Sequence, residues 1–163
     1  MSLLLINDFT YVSAQGERVL QREFLPVWCV ENQGIFDLAQ YDWTVERNIF
    51  SRSRKLGSLY LCPDSSGFLC FEGGCIPNNC TLLDAYGKER MRLAVPWHLT
   101  TANNPDSNAP PTCFVGISEP YINPADGKKG EFGVKAWVEF AGEYYFELDW
   151  RTGQFLWGKE IRF

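Results

Sequence analysis

Four of the chain's six cysteines fall within twenty positions, in LCPDSSGFLCFEGGCIPNNC at residues 61–80. Thiolates bind metals, exchange disulfides and attack carbonyls, so chemistry is sought there first. Cys62, Cys70, Cys75 and Cys80 are separated by seven, four and four residues. Structural zinc uses close pairs, because a tight turn aims two sulfurs at one ion. No C-x-x-C occurs in this chain. Cys70, Cys75 and Cys80 supply three sulfurs, with Asp64 or His98 as the fourth ligand of such a site. A disulfide set is the other chemical alternative. The preferred reading is neither: these are ordinary half-buried cysteines behaving as small hydrophobes, with no metal and no cofactor.

Other catalytic constellations are thin. His98, in VPWHLT, is the single histidine, and beside Trp97 it reads as a packed, hydrogen-bonded imidazole. Ser118 in GISEP lacks the second glycine of a nucleophile elbow. No phosphate-cradling loop, dinucleotide fingerprint or H-E-x-x-H is present. A small hydrolase-type enzyme would have to pair Cys113 or Cys29 with His98, or use two carboxylates such as Glu143 and Glu147. A binding protein without turnover is the expectation.

Composition narrows the partner. The 163 residues carry a net charge of −5 and 15% aromatics. An acidic chain is a poor nucleic-acid binder, because phosphate contacts need clustered Lys and Arg. The one basic run, RSRKLG at 52–57, reads as a solvated turn. No apolar run is long enough for a membrane span, and the opening lacks a basic start and long apolar core of a signal peptide. The expected location is the cytoplasm, where stable disulfides are rare.

The elements that must position any site read as strands first. LLLINDFTYV (3–12) and RVLQREFLPVWCV (18–30) flank the turn signal SAQGE and predict a hairpin. Ile35, Leu38, Asp42, Val45 and Ile49 lie near helical spacing, although Phe36, Trp43 and Phe50 spoil the stripe. GSLYLCPD and GFLCFEGG read as short strands. TLLDAYGKERMRLAVPW (81–97) fits either a hairpin or a short helix opened by Thr81, with Asp84 in a capping box. Residues 100–130, rich in Pro and Asn, predict a long loop broken by one brief strand at TCFVGI. The expected fold is a single strand-dominated α+β domain over 1–163, with an antiparallel sheet and one or two helices.

The C-terminal third predicts a three-stranded meander. A three-residue loop at 141–143 puts Val134, Ala136, Val138 and Phe140 on one face with Tyr144, Phe146, Leu148 and Trp150. The opposite face then pairs Lys135 with Asp149, Trp137 with Glu147, and Glu139 with Tyr145. Aromatic rings among carboxylates suit capture of a basic protein surface. The expected partner-binding set is Trp137, Glu139, Tyr145, Glu147 and Asp149, extended by Glu31, Asp37 and Asp42. The alternative is that a helix covers this face and Trp137 belongs to the core.

FLPVWCVENQGIFDLA (24–39) resembles the Pro-then-Asn-Gly region of the SMI1/KNR4-like (SUKH) superfamily. The residues carrying it are Pro26, Glu31, Asn32, Gln33, Gly34 and Phe36. The resemblance implies a mixed sheet with helices and an immunity protein that binds and blocks a toxin. The function expected from both lines is an immunity-type inhibitor that occludes a basic toxin domain. A structural or virion component is the third class.

Overall fold

The computed structural model describes residues 4–21, 37–101 and 112–162. Among them are twelve strands, arranged as three four-stranded antiparallel sheets. The first sheet holds β1 (Ile6–Ser13), β2 (Arg18–Leu20), β3 (Leu38–Val45) and β4 (Asn48–Ser53), in the order β2-β1-β3-β4. The second runs β5 (Ser58–Leu61), β6 (Gly67–Phe71), β7 (Cys80–Asp84) and β8 (Glu89–Leu93) as a plain meander. The third is β9 (Cys113–Ser118), β10 (Gly133–Val138), β11 (Gly142–Asp149) and β12 (Gln154–Arg162), also a meander. Short 3₁₀ turns stand at Arg54–Leu56 and Trp97–Leu99.

No α-helix occurs among the described residues, which corrects the expected one or two helices. Over 37–50, the described part of the stretch with helical spacing, the chain forms β3 and β4. Tyr41, Trp43 and Val45 alternate into the core, a period of two, and Tyr, Trp, Thr and Val all favour pleated surfaces. Over 81–97 the hairpin is the alternative realised. Asp84 Oδ1 accepts from the backbone N–H groups of Tyr86 (2.9 Å) and Lys88 (3.0 Å), so it organises the β7–β8 turn and caps no helix. The turn at SAQGE joins β1 to β2, with Ser13 Oγ accepting from Glu17 N–H at 3.0 Å; residues 22–30 of the expected second strand lie outside the described residues. The basic run 52–57 ends β4 and forms the first 3₁₀ turn.

The second sheet is the middle layer. GFLCF of β6 is buried throughout: Phe68 and Cys70 join the core with Tyr41 and Trp43 of the first sheet. Leu69 and Phe71 join a separate core with Val134, Ala136, Tyr144 and Phe146 of the third. A strand covered on both faces can be apolar at every position, which explains the uninterrupted run.

The second and third sheets are also stapled together. Cys75 and Cys113 form a disulfide, so the preferred reading of plain thiols over 61–80 fails for Cys75. Beside it, buried Asn79 donates to Phe114 O (3.0 Å) and accepts from Phe114 N–H (2.9 Å). That side-chain amide replaces a missing strand partner. Cys62, Cys70 and Cys80 are buried free thiols, as small hydrophobes should be.

In the third sheet the loop sits two residues earlier than expected, so each β10 residue pairs four positions earlier along β11. Val138 pairs with Gly142, Trp137 with Glu143, and Lys135 with Tyr145. The loop is three residues long but occupies 139–141 instead of 141–143. An even shift preserves which face each side chain takes. Val134, Ala136 and Val138 are therefore inward as expected. Phe140 is the exception, because it sits in the turn.

Candidate protein-binding face

The outward face of the third sheet is built in rows by the register. Gly133, Glu147 and Trp157 form one row, Lys135, Tyr145 and Lys159 the next, and Trp137 with Glu143 the last. Residues 119–132 lie across the first two rows as a strap. The strap is a small hairpin of its own. Ile122 bridges Lys129, Asn123 N–H donates to Lys128 O at 2.9 Å, and Gly130 N–H donates to Tyr121 O at 3.0 Å.

Beneath it, Tyr145 is 0% and Glu147 6% exposed, which removes both from the expected solvent face. The covering element is a loop, where the sequence alternative had supposed a helix. Tyr145 Oη donates to Glu147 Oε1. Glu147 Oε2 accepts from the backbone N–H groups of Glu131 (2.9 Å) and Phe132 (3.2 Å). Buried carboxylates persist when so partnered. The Tyr145 ring lies between Tyr121 at 5.0 Å and Trp157 at 5.2 Å. Burial, reinforced by the Glu147 hydrogen bond and charge, pushes the Tyr145 phenol well above its ordinary range. Close approach requires glycine here: a Cβ on Gly130 would fall 2.0 Å from Glu147 Oε1, and one on Gly133 2.0 Å from the Tyr145 ring.

What the strap leaves open is the β10–β11 hairpin end. Trp137 is 38% exposed, and its indole N–H points to Glu139 Oε2 at 3.4 Å. Phe140 is 71% exposed with φ at 71°. The sequence reading put it inside. Ala141 N–H donates to Val138 O at 2.9 Å, making Phe140 the third residue of a turn, where positive φ ordinarily calls for glycine. An L residue pays about 1–2 kcal/mol for that backbone, and an exposed ring forgoes roughly 1.5–3 kcal/mol of burial. The available signal was EFAG: sliding the three-residue loop two places back keeps every strand face and lifts Phe140 to the tip.

The other expected residues are dispersed. Asp149 sits at the β11–β12 turn, accepting from Arg151 N–H at 3.0 Å. Asp42 is buried and faces its own sheet, accepting from Arg18 (2.8 Å), Gln40 (2.7 Å) and Ser51 (2.7 Å). Burial alone would raise its pKa, but these hydrogen bonds and the Arg18 charge outweigh that and lower it. Asp37 is exposed at a positive-φ position ahead of β3. Glu31 lies outside the described residues, as do Cys29 and all six residues carrying the SUKH resemblance.

The catalytic alternatives change accordingly. Cys113 is bonded to Cys75 and is no nucleophile in this state. His98 is exposed, contrary to the packed imidazole expected. It lines a groove of about 490 Å³ with Ala94, Val95, Pro96, Trp97, Gln154 and Phe155. That lining holds neither a thiol nor a carboxylate. Among the described residues no group of three or more His, Cys, Asp or Glu side chains could hold a metal ion, and no helix is long and apolar enough to cross a membrane.

No family model matches the sequence, and no curated protein matches it. The mixed sheet with helices implied by the SUKH resemblance is not what the described residues form. The fold is nevertheless similar to a solved one. A chain in the structure of Tne2 in complex with Tni2 superposes with a TM-score of 0.65, covering 97% of this chain and 100% of that one at 13% identity. At that identity the likeness establishes shared architecture, seen there in a chain that belongs to a two-protein assembly.

Proposed function

We propose that the chain is an immunity-type inhibitor, which binds a toxin domain and blocks it by occlusion without turnover. The observation that carries this is the exposed Trp137 at the one end of the outward face that the strap leaves uncovered. Trp is over-represented at interface hot spots because a rigid ring buries much area at small entropic cost. Glu139 beside it and the net charge of −5 favour a partner with a basic surface. Lys135 and Lys159 flank Tyr145, so the acidic character belongs to the hairpin end and not to the whole face. The architecture shared with a chain of the Tne2–Tni2 assembly supports a protein partner. The proposed place of action is the cytoplasm, where the Cys75–Cys113 pair would bond only on exposure to an oxidant.

The test is growth rescue. The product of the neighbouring reading frame is expressed alone, with this chain, and with its Trp137→Ala, Glu139→Ala variant. Toxicity relieved by the unaltered chain and restored by the double variant supports the proposal. Equal rescue by both chains removes this surface from the mechanism.

A further inference from the structure

Phe140 stands out twice over: its backbone takes a conformation unfavourable to a side chain, and its ring lies in water at 71% exposure. A residue that stands against both preferences points to a use outside the fold. The base beneath it is buried and hydrogen-bonded. Val138, Ala141 and Gly142 are buried, and Glu139 N–H donates to the buried Thr112 Oγ1 at 2.9 Å. The ring is therefore presented on a fixed stalk, which spares the entropy of ordering it on binding.

Resting on the proposed inhibitor role, we infer that Phe140 is a plug. It enters an apolar pocket of the partner whose rim carries a cation facing Glu139. A protruding ring at a hairpin tip can be desolvated only by a concavity, since a flat surface would leave most of it wet. The Glu139 carboxylate, two residues from Trp137 and accepting from its indole N–H, marks the polar edge of the contact. On a toxin enzyme the concavity that accepts such a plug is the substrate cleft. Inhibition is then competitive with substrate.

The probe is the purified product of the neighbouring reading frame, titrated against the whole chain and its variants. Phe140→Gly should weaken binding by about 30-fold or more, the scale of a hot-spot loss. Its thermal midpoint should be unchanged or higher, because glycine fits the turn. Phe140→Leu should retain most of the affinity. Affinity within about threefold of the unaltered chain for Phe140→Gly, alongside a large loss for Trp137→Ala, would overturn the plug while leaving the inhibitor reading intact. No binding by the unaltered chain would overturn the inhibitor reading and the plug together. Noncompetitive inhibition would place the tip outside the substrate cleft and also refute the plug.

Discussion

Tyr145 and Glu147, two positions apart on one face of β11, hydrogen-bond to each other beneath the strap formed by residues 119–132. Their burial divides the outward face of the third sheet into a closed half and an open half. The closed half is structural, since Glu147 also holds two backbone N–H groups of the strap's own end.

Glu147→Ala removes the acceptor for all three donors and leaves the Tyr145 O–H without its carboxylate acceptor in the interior. A cost of about 3 kcal/mol is expected, since each buried orphan costs about 1–3 kcal/mol. The urea midpoint measures it. A change below about 0.5 kcal/mol, the range of an ordinary surface substitution, would mean the strap is held by other contacts.

Alkaline pH should unfold the protein. Burial raises the phenols of Tyr11, Tyr41 and Tyr145 above their ordinary value. Burial, then the Asp64 charge, pushes the Cys62 thiol up to about 12, and burial raises Cys70 and Cys80 as well. The unfolded chain therefore loses these protons first as pH rises. Stability is whole below the unfolded values, near pH 8.5 for Cys and about 10 for Tyr. It falls as pH climbs through the folded ones. Urea titrations from about pH 8 to 11 should show a midpoint flat at first and then declining; a level profile would contradict this burial.

The Cys75–Cys113 bond closes a loop with a sequence separation of 38. Chain-entropy arguments put its contribution near 4 kcal/mol. The oxidised protein should melt above both the Cys75→Ser variant and the dithiothreitol-reduced chain, with a Cys75–Cys113 linked peptide in its digest. Identical melting of all three would show that Asn79 and the core join the two sheets without help.

Much of this architecture was legible because strand faces follow a period of two. The inward set Val134, Ala136, Val138, Tyr144, Phe146 and Leu148 could be read directly, and it survives the four-residue register shift because parity is unaltered. What parity leaves open is the loop's position, and that ambiguity hid Phe140. The burial of Tyr145 was illegible for a different reason. It depends on a strap that looks like featureless loop in YINPADGKKGEFG, where only Gly130 and Gly133 hint at close packing. The pairing of Cys75 with Cys113 joins residues far apart in sequence, and spacing within 61–80 carries no trace of it. Over 37–50 the helical spacing misled because a few apolar residues matched two periods, and Trp43 and Phe50, which broke the stripe, were marking strands.

The central claim is that the open end of the third sheet meets a partner protein. Hydrogen–deuterium exchange of this chain, alone and saturated with the neighbouring reading frame's product, tests it most directly. The account predicts slowed exchange across residues 137–143, with the amides of the strap little changed. Protection confined to the groove at residues 94–98 and 154–155, with 137–143 exchanging as before, would contradict it.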